Sequence, residues 1–307
     1  MTIFRLTPKG PFSLEASTRF LEGFAPSAYE VPHEPHHLHL GFVVEGSWDT
    51  VGVCVRQTNK AVIGEYFGRA HREAVRRRVA GILSLDIDGS GFPALGRRDR
   101  VVARLQRSYP GLRPVLFWSP YEAAAWTIIG HRIRMVQAAR IKRHLAEELG
   151  EKVDVHGEHV HCFPSPQQLA SMRGFQGLSA RKVEQLQAIA DAALAGRLGA
   201  AQLRSRPREE VLADLKRLPG IGDFSAELIL VRGAGDPDYF PRHEGRLHRA
   251  MADAYGFGGI PPIERLAEIA EKWRPYRSWV SVLFRTQLED QRSHGGNRRR
   301  RRINDTQ

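Results

Sequence analysis

The stretch Leu218-Pro-Gly-Ile-Gly222 constrains this chain more than any other segment. Two glycines bracket an isoleucine, apolar Leu215, Leu218 and Ile221 recur around them, and the run from Phe224 to Val231 reads as a second helix. A helix, a tight Gly-x-Gly hairpin and another helix leave several backbone N–H groups unpaired at one turn. Unpaired amides at a helix N-terminus attract anions, so the turn is a candidate phosphate site.

The charge balance agrees with a polyanionic partner. The chain of 307 residues carries 46 Lys+Arg against 34 Asp+Glu, a net +12, with a pI near 10.2. Removing the five arginines Arg298–Arg302 from +12 leaves +7, so the basic character is not confined to the tail. Such a balance suits nucleic acid; an arginine-rich proteome would produce it too. Two cysteines alone, Cys54 and Cys162, cannot build a disulfide framework, an all-thiolate zinc site or a four-cysteine iron–sulfur site. The longest apolar runs, such as Ala123–Ile129, are too short to span a bilayer, and the expected location is the cytoplasm.

The pattern along the chain is α+β. Residues 1–112 read as a mixed unit: a turn-rich opening at Pro8–Phe12, a short helix over Ser13–Gly23, and β-rich His37–Glu45 and Val51–Gln57 joined through Gly46–Asp49. Val75, Val79 and Ile82 recur at helical spacing. Residues 113–291 turn helical. Ser119-Pro-Tyr-Glu122 and Ser165-Pro-Gln-Gln168 are capping boxes with proline at the first helical position, and Ala180–Leu194, Ile263–Trp273 and Tyr276–Leu288 supply further helices. Residues 292–307, rich in Gly, Asn and Arg, read as an unordered tail.

Glycines at 233 and 235, Pro237 and Pro241, and an acidic residue beyond them follow the hairpin in order. This order resembles the helix–hairpin–helix superfamily of DNA base-excision glycosylases, and within it the bacterial 3-methyladenine DNA glycosylase II group. The resemblance extends over Pro110–Arg113, Tyr121–Gly130, Phe163–Pro166, Gly177–Lys182, Leu218–Gly222, Arg232-Gly233 and Trp273–Ser278. It implies an antiparallel-sheet α/β domain followed by two helical domains with the active site between them. It also implies hydrolysis of the N-glycosidic bond of a flipped, damaged purine in double-stranded DNA, by a monomer without iron–sulfur cluster, redox cofactor or divalent metal for the chemistry.

The catalytic carboxylate of that group falls, by ungapped count twenty residues past Phe224, on Glu244, where an aspartate is usual. Two other readings of Glu244 stand beside this one: a surface carboxylate in a helix's first turn, or the remnant of a catalytically silent DNA-binding protein that keeps the fold. Asp236 and Asp238 are rival carboxylates that read as loop residues. Phe224 occupies the position of the Schiff-base lysine of bifunctional members, so a lyase step there is excluded; it offers a π-face to an electron-poor base or packs in the core. Tyr276 and Leu228 match base-pocket positions, Leu228 and Gly245 replacing aromatics. Gly220, Ile221 and Gly222 match the phosphate clamp, and the carbonyls of Lys216, Leu218 and Ile221 match a place where the hairpin holds Na+ or K+. Gly130-His131-Arg132 matches the loop that fills the gap left by the flipped base, and Arg181-Lys182 is a further backbone contact or a solvated helix face.

Overall fold

The computed structural model describes residues 2–26 and 37–304, with side chains to 291. Strands β1 (Thr2–Leu6), β2 (His37–Val43), β3 (Thr50–Gln57) and β4 (Val62–Gly68) form one antiparallel sheet in the order β1-β4-β3-β2. Alternation sorts its two faces. Leu38, Leu40, Phe42, Val51, Val53, Val55 and Tyr66 point into a core shared with α1 (Leu14–Gly23) and α2 (Arg72–Ile82). His37, His39, Cys54, Arg56 and Glu65 lie on the other face, with His39 opposite Cys54 and Cys54 opposite Glu65. Ser13 caps α1 as its side chain accepts the Ala16 N–H at 3.1 Å.

A short turn of 3-10 helix (Phe92–Ala94), α3 (Leu95–Arg98) and α4 (Arg100–Ser108) lead to the central helix α5 (Pro120–Gly130). Ser119 accepts the Glu122 N–H at 3.0 Å and Pro120 takes the first turn, one half of the predicted capping box, while the Glu122 carboxylate pairs with Lys142 at 2.7 Å. Helix α5 is buried on every side, which is why its residues are apolar all round rather than striped. It packs among α6 (Met135–Glu148), α7 (Pro166–Ala170), α8 (Ala180–Leu194), α9 (Ala200–Ser205), α10 (Arg208–Lys216) and α11 (Asp223–Leu228), which continues as a π-helical segment (Ile229–Ala234). Both halves of the capping box form at Ser165 and Gln168. Together, residues between Phe117 and Ala234 make a second core.

The chain then returns. Helices α12 (Gly245–Tyr255), α13 (Ile263–Glu271) and α14 (Arg277–Asn304) bury Phe240, Leu247, Met251, Leu266, Trp273, Trp279 and Phe284 in the core that also holds the sheet. Tyr255 and Trp273 both donate to Asp99, the cap of α4, which fastens the last helices to α4. The backbone of the arginine-rich tail is helical to Asn304 where its composition predicts no order; arginine is a good helix former and the segment extends an established helix. Residues 305–307 lie outside the described residues.

Three further elements escape the sequence pattern. Strand β1 is short and precedes a proline-glycine turn, β4 carries Gly64 and Glu65 in its middle, and the hairpin of β5 (Lys152–Val155) and β6 (Glu158–His161) is mostly polar. That hairpin lies on the outer face of the sheet, where Val155 and Val160 pack beside Cys54 and Phe67 and close over Gly41 and Gly52.

Candidate active site

The helix–hairpin–helix unit is α10, the turn Leu218–Gly222 and α11. Leu218 and Ile221 sink their side chains into the second core, and the Ile221 N–H donates to the Leu218 carbonyl at 3.1 Å to close the turn. Gly220 sits at φ +84°, and a Cβ there would come within 2.7 Å of Gln185 and Ile128. Both the backbone and the packing therefore demand glycine. At Gly222 a Cβ would meet nothing within 4 Å, so this side of the turn is open to an approaching group. Lys216 and Asp223 pair across the hairpin at 2.8 Å, and the ammonium holds the Asp223 carboxyl below the usual carboxylate range.

Past the π-helical turn the chain crosses to α12 through residues 235–244, and carboxylates fix that crossing. Arg208 donates twice to Asp236, at 2.6 and 3.1 Å; Arg274 and Arg277 each donate to Asp238 at 3.0 Å. Both rival aspartates are buried and saturated by arginine, so neither is a free carboxylate. Glu227, 3% exposed, accepts four bonds: the Tyr239 hydroxyl at 2.8 Å, the Arg242 N–H at 3.1 Å, the His243 N–H at 2.9 Å and His243 Nδ1 at 2.9 Å. Burial, and then the Glu227 carboxylate, push the Tyr239 phenol above its ordinary pKa.

The next residue after this anchored pair is Glu244, the N-cap of α12. Its Oε1 accepts the Arg246 N–H at 3.2 Å, and its Oε2 lies 3.9 Å from Arg285 Nε. The side chain is 18% exposed. It lines a cleft of about 1040 Å³ between the two cores, together with Phe224, Leu228, Gly220, Gly222 and Gly245. Phe224 is 44% exposed, so it is not a core residue; it stands at the cleft wall. The cleft is large enough for a purine nucleotide and rimmed by carboxylate, guanidinium and backbone amide.

The structure also supplies walls that the sequence does not reveal. Phe20 and Phe24 at the end of α1, with Phe117 and Trp126 from the second core, face the same space. Phe24 meets Phe117 edge-on at 5.1 Å. The Arg232 guanidinium lies 4.5 Å from the Phe24 ring centre and donates to the Val115 carbonyl at 2.6 Å; burial lowers its pKa to about 10. Arg285, on α14, joins Glu244 to Glu289, to which it donates at 2.8 Å.

Two expectations are corrected. Tyr276 is not a pocket residue: its hydroxyl donates to the Asp88 carbonyl at 2.7 Å, and its ring packs on Phe92 and Trp279 in the first core. The aromatic cluster with Phe92 and Trp279 holds this ring inward, away from the cleft. Lys182 is not a free cation for phosphate. Its Nζ donates to the carbonyls of Ile129 and His131 at 2.7 and 3.0 Å, capping the end of α5, and burial lowers its pKa. It braces the loop that carries His131 and Arg132. His131 lines the cleft, with its pKa lowered by burial and then by Lys182 and Arg132. Arg132 is exposed at φ +55°, and Arg181 is exposed on α8.

No protein-family model matches the chain. Among curated proteins, it is 22% identical to a DNA-3-methyladenine glycosylase of Bacillus subtilis over 68% of this chain and 71% of that protein. It is 28% identical to DNA-3-methyladenine glycosylase 2 of Escherichia coli over 58% of this chain, spanning 61% of that relative's length. Among solved structures, a 3-methyladenine DNA-glycosylase from Archaeoglobus fulgidus shares the fold at a TM-score of 0.75, with 24% identity, covering 94% of this chain and 98% of that one. Fold, hairpin and cleft resemble those of the helix–hairpin–helix DNA glycosylases. Within that superfamily the chain lies near the 3-methyladenine DNA glycosylase II group.

Proposed function

We propose that the chain is a monofunctional DNA glycosylase that hydrolyses the N-glycosidic bond of alkylated purines, of the 3-methyladenine and 7-methylguanine type, in double-stranded DNA. The observation that carries this reading is Glu244 in the wall of a purine-sized cleft, held there by a helix cap and an anchored loop, beside the exposed ring of Phe224. The hairpin amides of Gly220 and Gly222 grip a phosphate at the cleft edge, the Ile221 N–H being held by the Leu218 carbonyl, and Arg132 stands at the helix end where a flipped nucleotide leaves a gap.

The chemistry follows from charge. An alkylated purine is cationic, so the aromatic wall of Phe224, Phe24 and Trp126 favours it over an ordinary base. When the C1′–N bond breaks, its electron pair returns to the purine, which leaves neutral. Positive charge moves to the sugar, and the fixed Glu244 carboxylate lowers the energy of that state in a water-poor cleft. Water then bonds to C1′ and gives up a proton, leaving an abasic site. Position 224 holds phenylalanine, so no amine there can form a Schiff base and the strand stays intact.

This reading includes a monomer acting in the cytoplasm without a cofactor. Lys216 closes α10 and Ile221 precedes α11, so their carbonyls stand where helices supply no donor; with the Leu218 carbonyl they fit a monovalent cation that would stiffen the hairpin. The test is to incubate the protein with methylated duplex DNA and resolve the products. Release of free methylpurine with uncut strands supports the proposal. Binding to abasic-analogue duplex with no base released would instead support a silent DNA-binding protein.

A further inference from the structure

Far from the cleft, on the outer face of the sheet, the strand register gathers metal-binding side chains. His37 and His39 share one face of β2, and Cys54 stands directly opposite His39 on β3. The donor atoms of His37, His39 and Cys54 all lie within 4.8 Å of one another. In a tetrahedral zinc site, bond lengths of about 2.0–2.3 Å put neighbouring donors roughly 3.3–3.8 Å apart, so the three donors need to close by no more than about 1.5 Å.

His39 makes the case. It is 3% exposed, and its Nδ1 donates to Glu158 Oε2 at 2.7 Å, across from the β5–β6 hairpin. Its other nitrogen, Nε2, is buried with no hydrogen-bond partner among the described residues. A buried imidazole nitrogen without a partner costs stability unless something else takes its lone pair. A carboxylate on one ring nitrogen with the other nitrogen free is the arrangement that orients a histidine toward a metal. The surroundings carry negative charge as well. Glu65, 2% exposed and opposite Cys54, lies on the same face, paired with Arg56 at 3.8 Å and His156 at 3.5 Å.

We propose that His37, His39 and Cys54 form a divalent-metal site of the zinc class, with Glu158 as the outer carboxylate that orients His39. Two imidazoles and a thiolate select zinc-like ions over magnesium or calcium. Because Glu158 comes from β6, the metal would clamp the hairpin of the helical region onto the N-terminal sheet. Its role is structural, and base excision does not run through it.

Cobalt(II) is the probe. The purified full-length protein, stripped with chelator, is titrated with Co2+ and followed by absorption. The expected result is a thiolate-to-cobalt charge-transfer band saturating at one equivalent, displaced by Zn2+, with Zn2+ raising Tm by several degrees. Cys54→Ser abolishes the band, Cys162→Ser keeps it, and His37→Gln weakens Co2+ binding at least tenfold. No such band in the folded wild-type protein overturns the proposal, and so does a band that persists at full strength in Cys54→Ser. Should Cys54→Ser fail to fold, protection of the wild-type Cys54 thiol from alkylation by Zn2+ decides in its place: protection supports the site, and unchanged labelling refutes it.

Discussion

Glu227 is expected to set the reaction rate without touching the substrate's reacting atoms. Its carboxylate holds the backbone N–H groups of Arg242 and His243, the two residues immediately before Glu244. In Glu227→Gln one oxygen becomes an amide NH2. The least costly placement puts that NH2 at Oε2, which serves only the His243 N–H; Oε1 serves three donors. One buried N–H then faces a donor, at about 1–3 kcal/mol. For a chain of this size that lowers Tm by roughly 2–10 °C. The released loop shifts the Glu244 carboxylate, and a displacement of about 1 Å costs up to about a hundredfold in rate. Single-turnover excision under saturating enzyme, beside affinity for an abasic-analogue duplex, separates the two effects. The rate should fall about 10- to 100-fold while affinity changes by less than about threefold. A lowered Tm with an unchanged single-turnover rate would reduce Glu227 to a stabilising residue and refute the reasoning.

Other outcomes follow from the same geometry. Gly220→Ala combines a left-handed backbone with overlap on Gln185 and Ile128, and should destabilise the protein by about 2–4 kcal/mol in a urea titration. Glu244→Asp withdraws the carboxylate by one methylene from the cap position of α12, and its single-turnover excision should fall by about a hundredfold without vanishing. His131 has a pKa lowered by burial, so the unfolded chain binds its proton more readily than the folded one. Its contribution to stability is full above the unfolded value of about 6.5 and shrinks as pH falls through that value towards the folded one. Tm of His131→Asn should therefore decline less steeply than wild type between pH 7 and pH 5, and parallel curves would contradict the assignment.

The hairpin and the helix caps are legible in the sequence because each depends on local chemistry. Gly220 needs its positive φ, and Ser119 and Ser165 need the N–H groups three residues on. What stays hidden depends on distant partners. Phe20, Phe24 and Trp126 join the cleft only because the two cores meet there, and Tyr276 leaves it because Phe92 and Trp279 offer a better surface. Lys182 looks like a solvated helix charge until α5 ends beside it. Glu227 did leave a trace, a lone carboxylate within the apolar run Phe224–Val231, and such a residue in a buried helix must have partners waiting. Strand β4 and the β5–β6 hairpin escape for a simpler reason: a glycine, a buried glutamate and exposed charges blur the alternation that marks a strand.

On the proposed function, the charge of the Glu244 carboxylate drives cleavage of the glycosidic bond. Glu244→Gln keeps the length and cap of the side chain and removes only its charge. Measured on methylated duplex DNA in single turnover, this variant should release methylpurine at less than about one-thousandth of the wild-type rate while binding abasic-analogue duplex as tightly as wild type. Excision at the wild-type rate by Glu244→Gln would contradict the account.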